Sequence, residues 1–361
     1  MRFVQTGDLH LGARFSKLGN KANKQRKRLL TTFSTIINFS IKENADALLI
    51  CGDLFDSCFP NPVTIDTVIS EFNKLRKENI PVFIVPGNHD FGDKNPYDCS
   101  LFPSNVKIFT NSKMESFDLG EWIIHGCAFN YQNPDADPLK AFEVKKPEKI
   151  NVGIVHGSYT KFNWAEEEEK AYAPIDKKDI ENSGLTYLAL GHFHKTSQLD
   201  TKIPAWYAGT PEPLSFSQAG ESNILLVETT EETVKVQKQK TNETTYKLEE
   251  IDLTQNQNRA FEILKQNADI NTSLRLTLKG TPANPTEIDA DSLVEHFQDD
   301  YFYLEINDQT HIPMNEIPDA SLRGRFIRLM QESIKNEKNG QEMKVKELAY
   351  RIGLRALDGK L

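Results

Sequence analysis

Five short motifs along this 361-residue chain carry oxygen and nitrogen donors, and each follows an apolar run with the character of a buried strand. In chain order they are DLH (8–10), GDLFD (52–56), GNHD (87–90), HG (156–157) and GHFH (191–194). In an open α/β sheet, reactive groups collect outside the carboxyl ends of the strands. Five such ends that carry Asp, Asn and His side chains therefore predict a single metal site.

The candidate ligands are two aspartates, one asparagine and four histidines. They are Asp8, His10, Asp53, Asn88, His156, His192 and His194. A carboxylate has two oxygens, so Asp53 is the best candidate to bridge two cations about 3.5–4 Å apart, an arrangement that activates water and polarises a phosphate ester. Mixed carboxylate, amide and imidazole ligands favour Mn²⁺ or Fe²⁺ over Mg²⁺ and structural zinc. We therefore predict two divalent ions, Mn²⁺ first and Fe²⁺ as the alternative, and phosphoester chemistry.

Two further histidines lie close to these motifs or resemble them. His89 sits beside the ligand Asn88 and is predicted to contact the scissile phosphate, where it would stabilise charge or protonate the leaving oxygen. His125 ends another apolar run and competes with His156 for the fourth position. An apolar segment, 127–129, continues past His125, whereas a polar loop follows His156. We therefore favour His156 as the ligand and expect His125 to be a core or strand residue.

Strand-like runs alternate with helical patterns through the first 90 residues, and helices are expected around 24–43 and 62–78. This βαβαβ rhythm predicts parallel strands joined by crossover helices. From 106 to 128 the pattern is richer in strands, as in a mixed sheet or a sandwich. We therefore predict an α/β domain over residues 1–245 that carries all five motifs.

The composition shifts near 241–246, which marks a linker. The next segment, 246–312, has a β-α-β-α-β pattern and predicts a small α+β domain that needs its neighbour for much of its burial. The last segment, 313–361, has two apolar patterns at helical spacing, with Asn339-Gly340 between them. We therefore predict three parts in this order.

The net charge of −9 by itself disfavours a polyanionic partner, but the charge is unevenly distributed. Residues 11–42 hold eight lysines and arginines and no acidic residue, and residues 321–361 hold ten basic and five acidic residues. Local basic clusters can steer phosphate-rich ligands even on an acidic protein. The alternative is that these basic residues form a solvent-exposed helix face that binds no phosphate. The basic candidates for DNA contact are Arg14, Lys24, Arg26, Lys27 and Arg28.

The bulk composition, with 38% apolar and 26% charged residues, is that of an ordinary globular protein. We expect neither a membrane segment nor a signal peptide, because no apolar run is long enough and residues 1–3 enter a strand directly. The four cysteines form no CxxC pair, which argues against a disulfide framework or a zinc knuckle and predicts a cytoplasmic protein. The acidic run 166–169 is expected to be a solvated loop.

The motif set DxH, GDxxD, GNHD, HG and GHxH resembles that of the calcineurin-like metallophosphoesterases over residues 1–230. Within that superfamily, AGTPEPLSF (208–216) is similar to the SbcD type, the nuclease subunit of a double-strand-break repair complex. The resemblance implies a four-layer α-β-β-α sandwich, a capping domain that contacts DNA and a C-terminal helical segment that binds the coiled coil of an SMC-like, SbcC-like ATPase. It also implies a homodimeric, Mn²⁺-dependent DNA nuclease in DNA repair and recombination, with exonuclease activity first and endonuclease activity second.

The same resemblance assigns individual residues. One metal would take Asp8, His10, Asp53 and His194, the other would take Asp53, Asn88, His156 and His192, and His89 would be the catalytic histidine. Asp56 stands where some branches of the family carry a phosphate-contacting histidine. The apolar candidates for binding the ATPase partner are Leu322, Phe326, Leu329, Met330, Leu348 and Ile352.

Other function classes stay open. The same scaffold supports a phosphomonoesterase or a small-molecule phosphodiesterase, because function resides in the site rather than in the fold. A metal-free interaction protein with a decayed site is a third hypothesis, and the complete ligand set disfavours it. For segment 313–361, a helical hairpin packed on the chain's own core is the alternative to partner binding.

Overall fold

The structure is a computed structural model that describes residues 1–97, 100–162, 170–283, 288–311 and 318–359. The contacts divide the chain into two compact units, Met1–Thr245 and Tyr246–Leu361. The acidic run 166–169 lies outside the described residues, so its expected loop conformation stays a prediction. Within the described ranges, no helix combines the length and the apolar character needed to cross a membrane.

The first unit contains fourteen strands and three α-helices within the described residues. The strands are β1 (Arg2–Thr6), β2 (Ala47–Cys51), β3 (Val82–Val85), β4 (Val106–Ile108), β5 (Glu115–Asp118), β6 (Trp122–Gly126), β7 (Ile150–His156), β8 (Ser158–Tyr159), β9 (Pro174–Ile175), β10 (Tyr187–Gly191), β11 (Ser197–Gln198), β12 (Ala205–Tyr207), β13 (Asn223–Thr229) and β14 (Val234–Lys240). The helices are α1 (Ala22–Lys42), α2 (Pro62–Lys77) and α3 (Lys177–Asn182).

Two six-stranded sheets form the centre of this unit. The first has the order β14-β13-β1-β2-β3-β4, and β1 to β4 are parallel. The second has the order β11-β12-β10-β7-β6-β5, and β6, β7, β10 and β12 are parallel. Because β1, β2 and β3 are parallel, as are β7 and β10, the strands that precede the five motifs end at two sheet edges whose loops converge.

Three apolar layers hold the sheets and helices together. Helices α1 and α2 cover the outer face of the first sheet, where the rings of Phe33 and Phe72 are 5.6 Å apart. Between the sheets, Phe3 of β1 meets Tyr187 of β10 at a ring separation of 5.5 Å. Ile180 of α3 packs with the outer face of the second sheet. The predicted α-β-β-α core is therefore confirmed.

The two long helices follow from local sequence. Asn61 caps α2, because its side chain accepts a hydrogen bond from the N–H of Val63 at 2.9 Å, and Pro62 occupies the first helical position. Both helices bury one apolar face against the first sheet and expose most of their charged side chains, with Arg28 of α1 and Glu71 of α2 buried. They fall close to the predicted ranges and carry the chain from one strand end to the next.

The second unit has the β-α-β-α-β order that its pattern predicts, followed by two helices. Its elements are β15 (Thr245–Asp252), α4 (Arg259–Gln266), β16 (Asp269–Lys279), α5 (Ala290–Phe297), β17 (Tyr301–Asp308), α6 (Leu322–Lys335) and α7 (Gly340–Leu357). Strands β15, β16 and β17 form one sheet. Arg351 of α7 pairs with Asp308 of β17 and donates to the carbonyl oxygen of Thr310 at 2.9 Å. The boundary between 246–312 and 313–361 stays a prediction.

The AGTPEPLSF segment carries a buried acidic side chain, Glu212. Its carboxylate accepts hydrogen bonds from the backbone N–H groups of Glu243 and Thr244, at 2.8 and 2.9 Å, and from the hydroxyl of Thr32 in α1, at 3.2 Å. Burial raises the pKa of Glu212, and these hydrogen bonds partly oppose the rise. Glu212 therefore fastens the end of the first unit to α1.

The substitution Glu212→Gln tests this fastening. An amide offers one acceptor oxygen where the carboxylate offers two, so one buried N–H group of 243–244 loses its acceptor. The free energy of unfolding of the first unit should fall by about 1–3 kcal/mol in urea denaturation. The matched control is Glu221→Gln, whose side chain is 71% exposed and which should stay within about 0.5 kcal/mol of the wild type. Equal effects of the two substitutions would contradict the role of Glu212.

Candidate metal centre

Each of the five motifs begins at or just after the carboxyl end of a strand. Asp8 and Asp53 follow β1 and β2, Asn88 follows β3, His156 is the last residue of β7, and His192 follows β10. The first two motifs are joined directly, because the N–H of Asp8 donates to the carbonyl oxygen of Gly52, and the N–H of His10 donates to that of Asp53, both at 3.0 Å. The β1–β2 pairing therefore continues into the motifs.

The backbone leaves extended geometry at these positions. Asp8, His10 and Asp53 have φ values of 52°, 45° and 48°. This left-handed conformation is strained for most residues, and Asp and His are among those that adopt it more readily. Asp8 and His10 would share one face of a regular strand, with Leu9 on the other, and in the structure both belong to one donor group with His194.

Two motif glycines are required by close approach of neighbouring chains. Gly52 has a φ of 90°, and a Cβ atom there would collide with the ring of His156. A Cβ atom on Gly87 would collide with the carboxylate of Asp53. The glycines of GDLFD and GNHD therefore make room for the candidate ligand side chains of other motifs.

The first donor group consists of Asp8, His10 and His194. The Nε2 atoms of the two histidines are 3.4 Å apart, a separation that suits two nitrogen ligands of one cation with bonds of about 2 Å. The amide of Gln218 lies 2.6 Å from Nδ1 of His194 and holds that ring. The Gln218 amide is itself fixed, because its Oε1 accepts from the N–H of Leu214 at 2.8 Å.

The second donor group consists of Asp53, His156 and His192, and Asn88 adjoins it. Nε2 of His156 lies 2.9 Å from Oδ1 of Asn88, whereas Nδ1 lies 2.9 Å from the carbonyl oxygen of Cys51. That carbonyl holds the Nδ1 proton and leaves the lone pair of Nε2 available to bind a cation. Nε2 of His192 donates to the carbonyl oxygen of Lys170 at 2.8 Å, which leaves Nδ1 as its ligating nitrogen.

Asp53 lies between the two donor groups and also forms a third group of possible ligands with His10 and His89. Its Oδ1 accepts a hydrogen bond from the N–H of His89 at 2.9 Å. Its Oδ2 lies 3.9 Å from Nε2 of His10 in the first group and 3.3 Å from Nε2 of His156 in the second. Oδ2 therefore faces both groups, so Asp53 is the residue that two bound cations would share.

The buried carboxylates of the site favour the presence of additional positive charge. Burial raises the pKa of Asp8 to about 6, even though His156 lowers it. Burial would also raise the pKa of Asp53, but His156 and His10 hold it below its usual range. Burial lowers the pKa of His156, yet Asp53 and Asp8 outweigh this and raise it to about 9. The carboxylates thus stabilise cations at this site, and divalent metal ions, which displace protons from their ligands, fit the donor set.

Asp56 acts on two histidines at once. Its carboxylate Oδ1 lies 3.4 Å from Nδ1 of His10, and this contact raises the pKa of His10 against the effect of burial. Its carbonyl oxygen lies 3.4 Å from Nδ1 of His89. A carboxylate behind a metal-ligating imidazole fixes the tautomer and orientation of the ring. Asp56 therefore orients His10 and His89, a role that its motif position alone does not indicate.

His125 is placed away from the donor groups. It lies inside β6, paired with Gly153 of the parallel strand β7, three residues before His156. Its Nδ1 lies 2.8 Å from Oγ of Ser116 and its Nε2 lies 2.9 Å from Oδ1 of Asn151. His125 thus joins three strands of the second sheet, and the fourth motif position in the cluster is occupied by His156.

A model of the calcineurin-like phosphoesterase family matches residues 1–196, more than half of the chain. This chain belongs to the calcineurin-like phosphoesterase family. The matched range contains all five motifs and all seven candidate ligands. As a calcineurin-like phosphoesterase, it is a metal-dependent hydrolase whose donor groups fit divalent ions.

Three known proteins have sequences similar to that of this chain. "Uncharacterized metallophosphoesterase YhaO" of Bacillus subtilis (strain 168) is 26% identical over 296 residues, which cover 78% of this phosphoesterase and 70% of YhaO. "DNA double-strand break repair protein Mre11" of Methanopyrus kandleri is 26% identical over 237 residues, 60% of this chain and 50% of Mre11. The SbcD component of nuclease SbcCD from Staphylococcus epidermidis is 29% identical over 119 residues, 33% of this chain and 30% of its own. The chain thus spans half of that Mre11 and less than a third of that SbcD.

The residues predicted to contact DNA fall into two sets in this phosphoesterase. Arg14, Lys24 and Lys27 are exposed and Arg26 is half-buried, with its Nη1 donating to the carbonyl oxygen of Arg14 at 2.7 Å. Arg28 is buried, and its Nη1 donates to Oγ1 of Thr244 at 2.8 Å. Arg28 therefore stabilises the fold and does not present a guanidinium to solvent, because its position on α1 faces inward.

Three supporting residues have no separate signal in the motif pattern. Asp90 is buried and accepts hydrogen bonds from the N–H groups of Gly87 and Phe55, at 2.9 and 3.1 Å, so it ties the third motif to the second. Asp56 and Gln218 hold the rings of His10 and His194. For Asp90 and Asp56, their place inside GNHD and GDLFD is the available clue, and for Gln218 it is proximity to AGTPEPLSF.

The substitution Asp56→Asn removes the carboxylate behind His10. Loss of such a carboxylate reduces metal affinity by about 10- to 100-fold. We therefore expect the affinity for Mn²⁺ at the first donor group to fall by this factor in a calorimetric titration. The matched control is Asp66→Asn on α2, an exposed position where affinity should not change. An unchanged affinity in Asp56→Asn would contradict the orienting role.

Proposed function

We propose that this phosphoesterase is a Mn²⁺-dependent DNA nuclease that hydrolyses phosphodiester bonds in DNA repair and recombination, with exonuclease activity first and endonuclease activity second. The observation that carries the proposal is the position of Asp53 Oδ2, within 4 Å of a histidine nitrogen from each donor group. Two adjacent divalent ions, when bound, activate water and neutralise charge on the phosphate. The names of the Mre11 and SbcCD relatives support DNA as the ester.

The chain's own residues have separate tasks in this proposal. Asp8, His10, Asp53 and His194 hold one ion, and Asp53, Asn88, His156 and His192 hold the other. His89 is half-buried, with its ring 4.7 Å from that of His10. Because the carbonyl oxygen of Asp56 holds a proton on Nδ1 of His89, Nε2 donates a proton to the leaving oxygen, or stabilises charge on the phosphate, when the ring is in its doubly protonated imidazolium form.

The proposed DNA path begins beside the first donor group. A cavity of about 490 Å³ is lined by Arg14, Arg26 and Asp56, which also contacts His10. Lys24 and Lys27 are exposed on the same helix as Arg26. These basic side chains would neutralise phosphates of a DNA strand that lies next to the metal centre. Locally, they would also offset the net charge of −9.

The proposed ATPase partner would bind the hairpin of α6 and α7. Ile327, Ile334, Tyr350 and Leu354 close the inside of this hairpin, and Phe326 and Met330 pack against them. The side chains of Leu322, Leu329, Leu348 and Ile352 are instead 75%, 61%, 55% and 47% exposed. An apolar helical face of this kind fits a coiled coil, as proposed for an SbcC-like, SMC-type partner. The homodimer and the cytoplasmic location stay predictions.

The substitution His89→Ala separates metal binding from catalysis. Removal of a proton donor or charge stabiliser should reduce the rate of cleavage of labelled duplex DNA by about 10²- to 10⁴-fold. The Mn²⁺ stoichiometry, measured by elemental analysis, should stay that of the wild type. The control is His311→Ala, in which a 64% exposed side chain of the second unit is removed. Wild-type protein that hydrolyses an aryl phosphate but leaves DNA intact would contradict the nuclease proposal and favour a small-molecule phosphodiesterase.

The double substitution Leu329→Glu, Leu348→Glu tests the hairpin. Two charges on the exposed apolar face should abolish co-purification with the co-expressed ATPase partner, because their burial in a coiled-coil interface is unfavourable. Hydrolysis of an aryl phosphodiester should not change. Arg328→Glu changes charge at a neighbouring exposed position that lies off the apolar face, and it should retain binding. Equal loss with Arg328→Glu would indicate a general charge effect and contradict the assignment of this face.

A further inference from the structure

A second cavity, of about 450 Å³, lies in the first unit and is lined by different residues from the cavity beside Arg14 and Arg26. His156, a member of the second donor group, contributes to its wall. Phe129, which follows β6, also lines it and donates its N–H to the carbonyl oxygen of Pro86, next to the GNHD motif, at 3.1 Å. The cavity therefore adjoins both the third and the fourth motifs.

Aromatic rings connect the cavity with the ligand His192. The ring of Phe129 is 5.9 Å from that of Tyr172, and the ring of Tyr172 is 5.9 Å from that of His192. Met114 and Phe142 add apolar surface to the wall. A flat heterocycle that enters from the metal centre would thus meet aromatic and thioether groups, which are the surfaces on which nucleobases stack.

The polar groups of the cavity match the edge of a base. The Oδ1 atom of Asn130 accepts from the N–H of Asn133 at 3.1 Å, so its amide nitrogen is the donor that this side chain offers. The carboxylate of Asp137 accepts a hydrogen bond from the N–H of Leu139 at 2.8 Å and also contacts Asp179. Burial and Asp179 raise the pKa of Asp137 to about 6, so at neutral pH it offers an acceptor. A neutral ring with both donors and acceptors is complementary to this pair, whereas a second phosphate would be repelled by Asp137.

The charged side chains of the cavity wall favour phosphate groups at the entrance rather than inside. Lys113 and Lys140 line it and are exposed, so their ammonium groups stand where solvent enters. A cavity of this volume holds one small molecule or one nucleoside, and a base pair embedded in a duplex cannot enter it. The occupant must therefore be a single nucleoside whose flanking phosphates stay at the metal centre and near the lysines.

We infer that this cavity receives the nucleoside attached to the scissile phosphate after that nucleotide has left its base pair. The inference rests on the proposed function, because it specifies the nucleotide state on which that site acts. It follows that strand ends that are frayed, mismatched or single-stranded are better substrates than fully paired ends, because unpairing costs a few kcal/mol in a paired end.

The test fills the cavity without changing a proposed ligand. Ala136→Trp adds an indole at the wall. Lys145→Trp adds the same group at a residue that does not line this cavity but lines an adjoining one, which contains Ser116 and His125 and shares Met114 and Phe142 with the first. Two chromogenic substrates are compared at saturating Mn²⁺: thymidine 5′-(p-nitrophenyl phosphate), which carries a nucleoside, and bis(p-nitrophenyl) phosphate, which does not. Hydrolysis of the second substrate reports that each variant is folded and holds its metals.

We expect Ala136→Trp to reduce kcat/KM for the thymidine ester by about ten-fold or more, with the bis(p-nitrophenyl) ester within about two-fold of the wild type. Lys145→Trp should leave both values unchanged. In a metal-free binding measurement, saturation-transfer NMR should detect thymidine on the wild type and on Lys145→Trp but not on Ala136→Trp.

An equal effect of Ala136→Trp on the two esters, or no effect on either ester, would overturn the inference. Failure of the proposed function gives a different result, in which the wild type cleaves the thymidine ester but leaves DNA intact. The ratio of the two ester activities still decides the role of the cavity in that case.

Discussion

The site depends on one buried carboxylate, that of Asp53, held between two sheets. The residue follows β2 of the first sheet, and its Oδ2 lies 3.3 Å from His156, the last residue of β7 in the second sheet. Its other oxygen is held by the N–H of His89. A carboxylate that is 1% exposed is unfavourable unless positive charge surrounds it. The imidazoles supply part of that charge, and the divalent ions of this family would supply the rest.

Much of the local backbone serves this arrangement. Gly52 and Gly87 lack the Cβ atoms that would meet His156 and Asp53. Four other motif residues (Asp8, His10, Asp53 and His192) have positive φ values, which cost of order 1–3 kcal/mol each. The apolar layer between the sheets, in which Phe3 meets Tyr187, offsets that cost and keeps the two strand edges together. Packing far from the centre thereby fixes the separation of the donor groups.

The grouping of the candidate donors and the strand-helix order could be predicted because both rest on local signals. Polar residues after apolar runs mark strand ends, and helical spacing predicted α1 and α2 within a few residues of their bounds. Residues that act through tertiary contacts could not be predicted. Arg28 looked like part of a basic surface, yet it faces Thr244, which is 216 residues away in the chain. The role of Asp56 as a support for His10 follows from its distance to that ring, which the sequence motif does not reveal.

The C-terminal hairpin shows the same limit. Helical periodicity places the six apolar candidates for partner binding in one group. In the structure, Phe326 and Met330 pack inside the hairpin of α6 and α7, and the other four are exposed. A helical pattern indicates which residues share a face, but it does not indicate how much of that face a neighbouring helix covers. The substrate cavity was not predictable either, because its wall combines segments from 112 to 173 that have no common motif.

The most direct test of the central claim is electron paramagnetic resonance of the protein titrated with Mn²⁺. If Asp53 bridges two ions, the wild type with two equivalents should give the spectrum of a spin-coupled pair, as expected for ions about 3.5–4 Å apart. Asp53→Ala should give at most the six-line signal of isolated ions. Isolated-ion signals alone from the wild type at two equivalents would contradict the shared-carboxylate account.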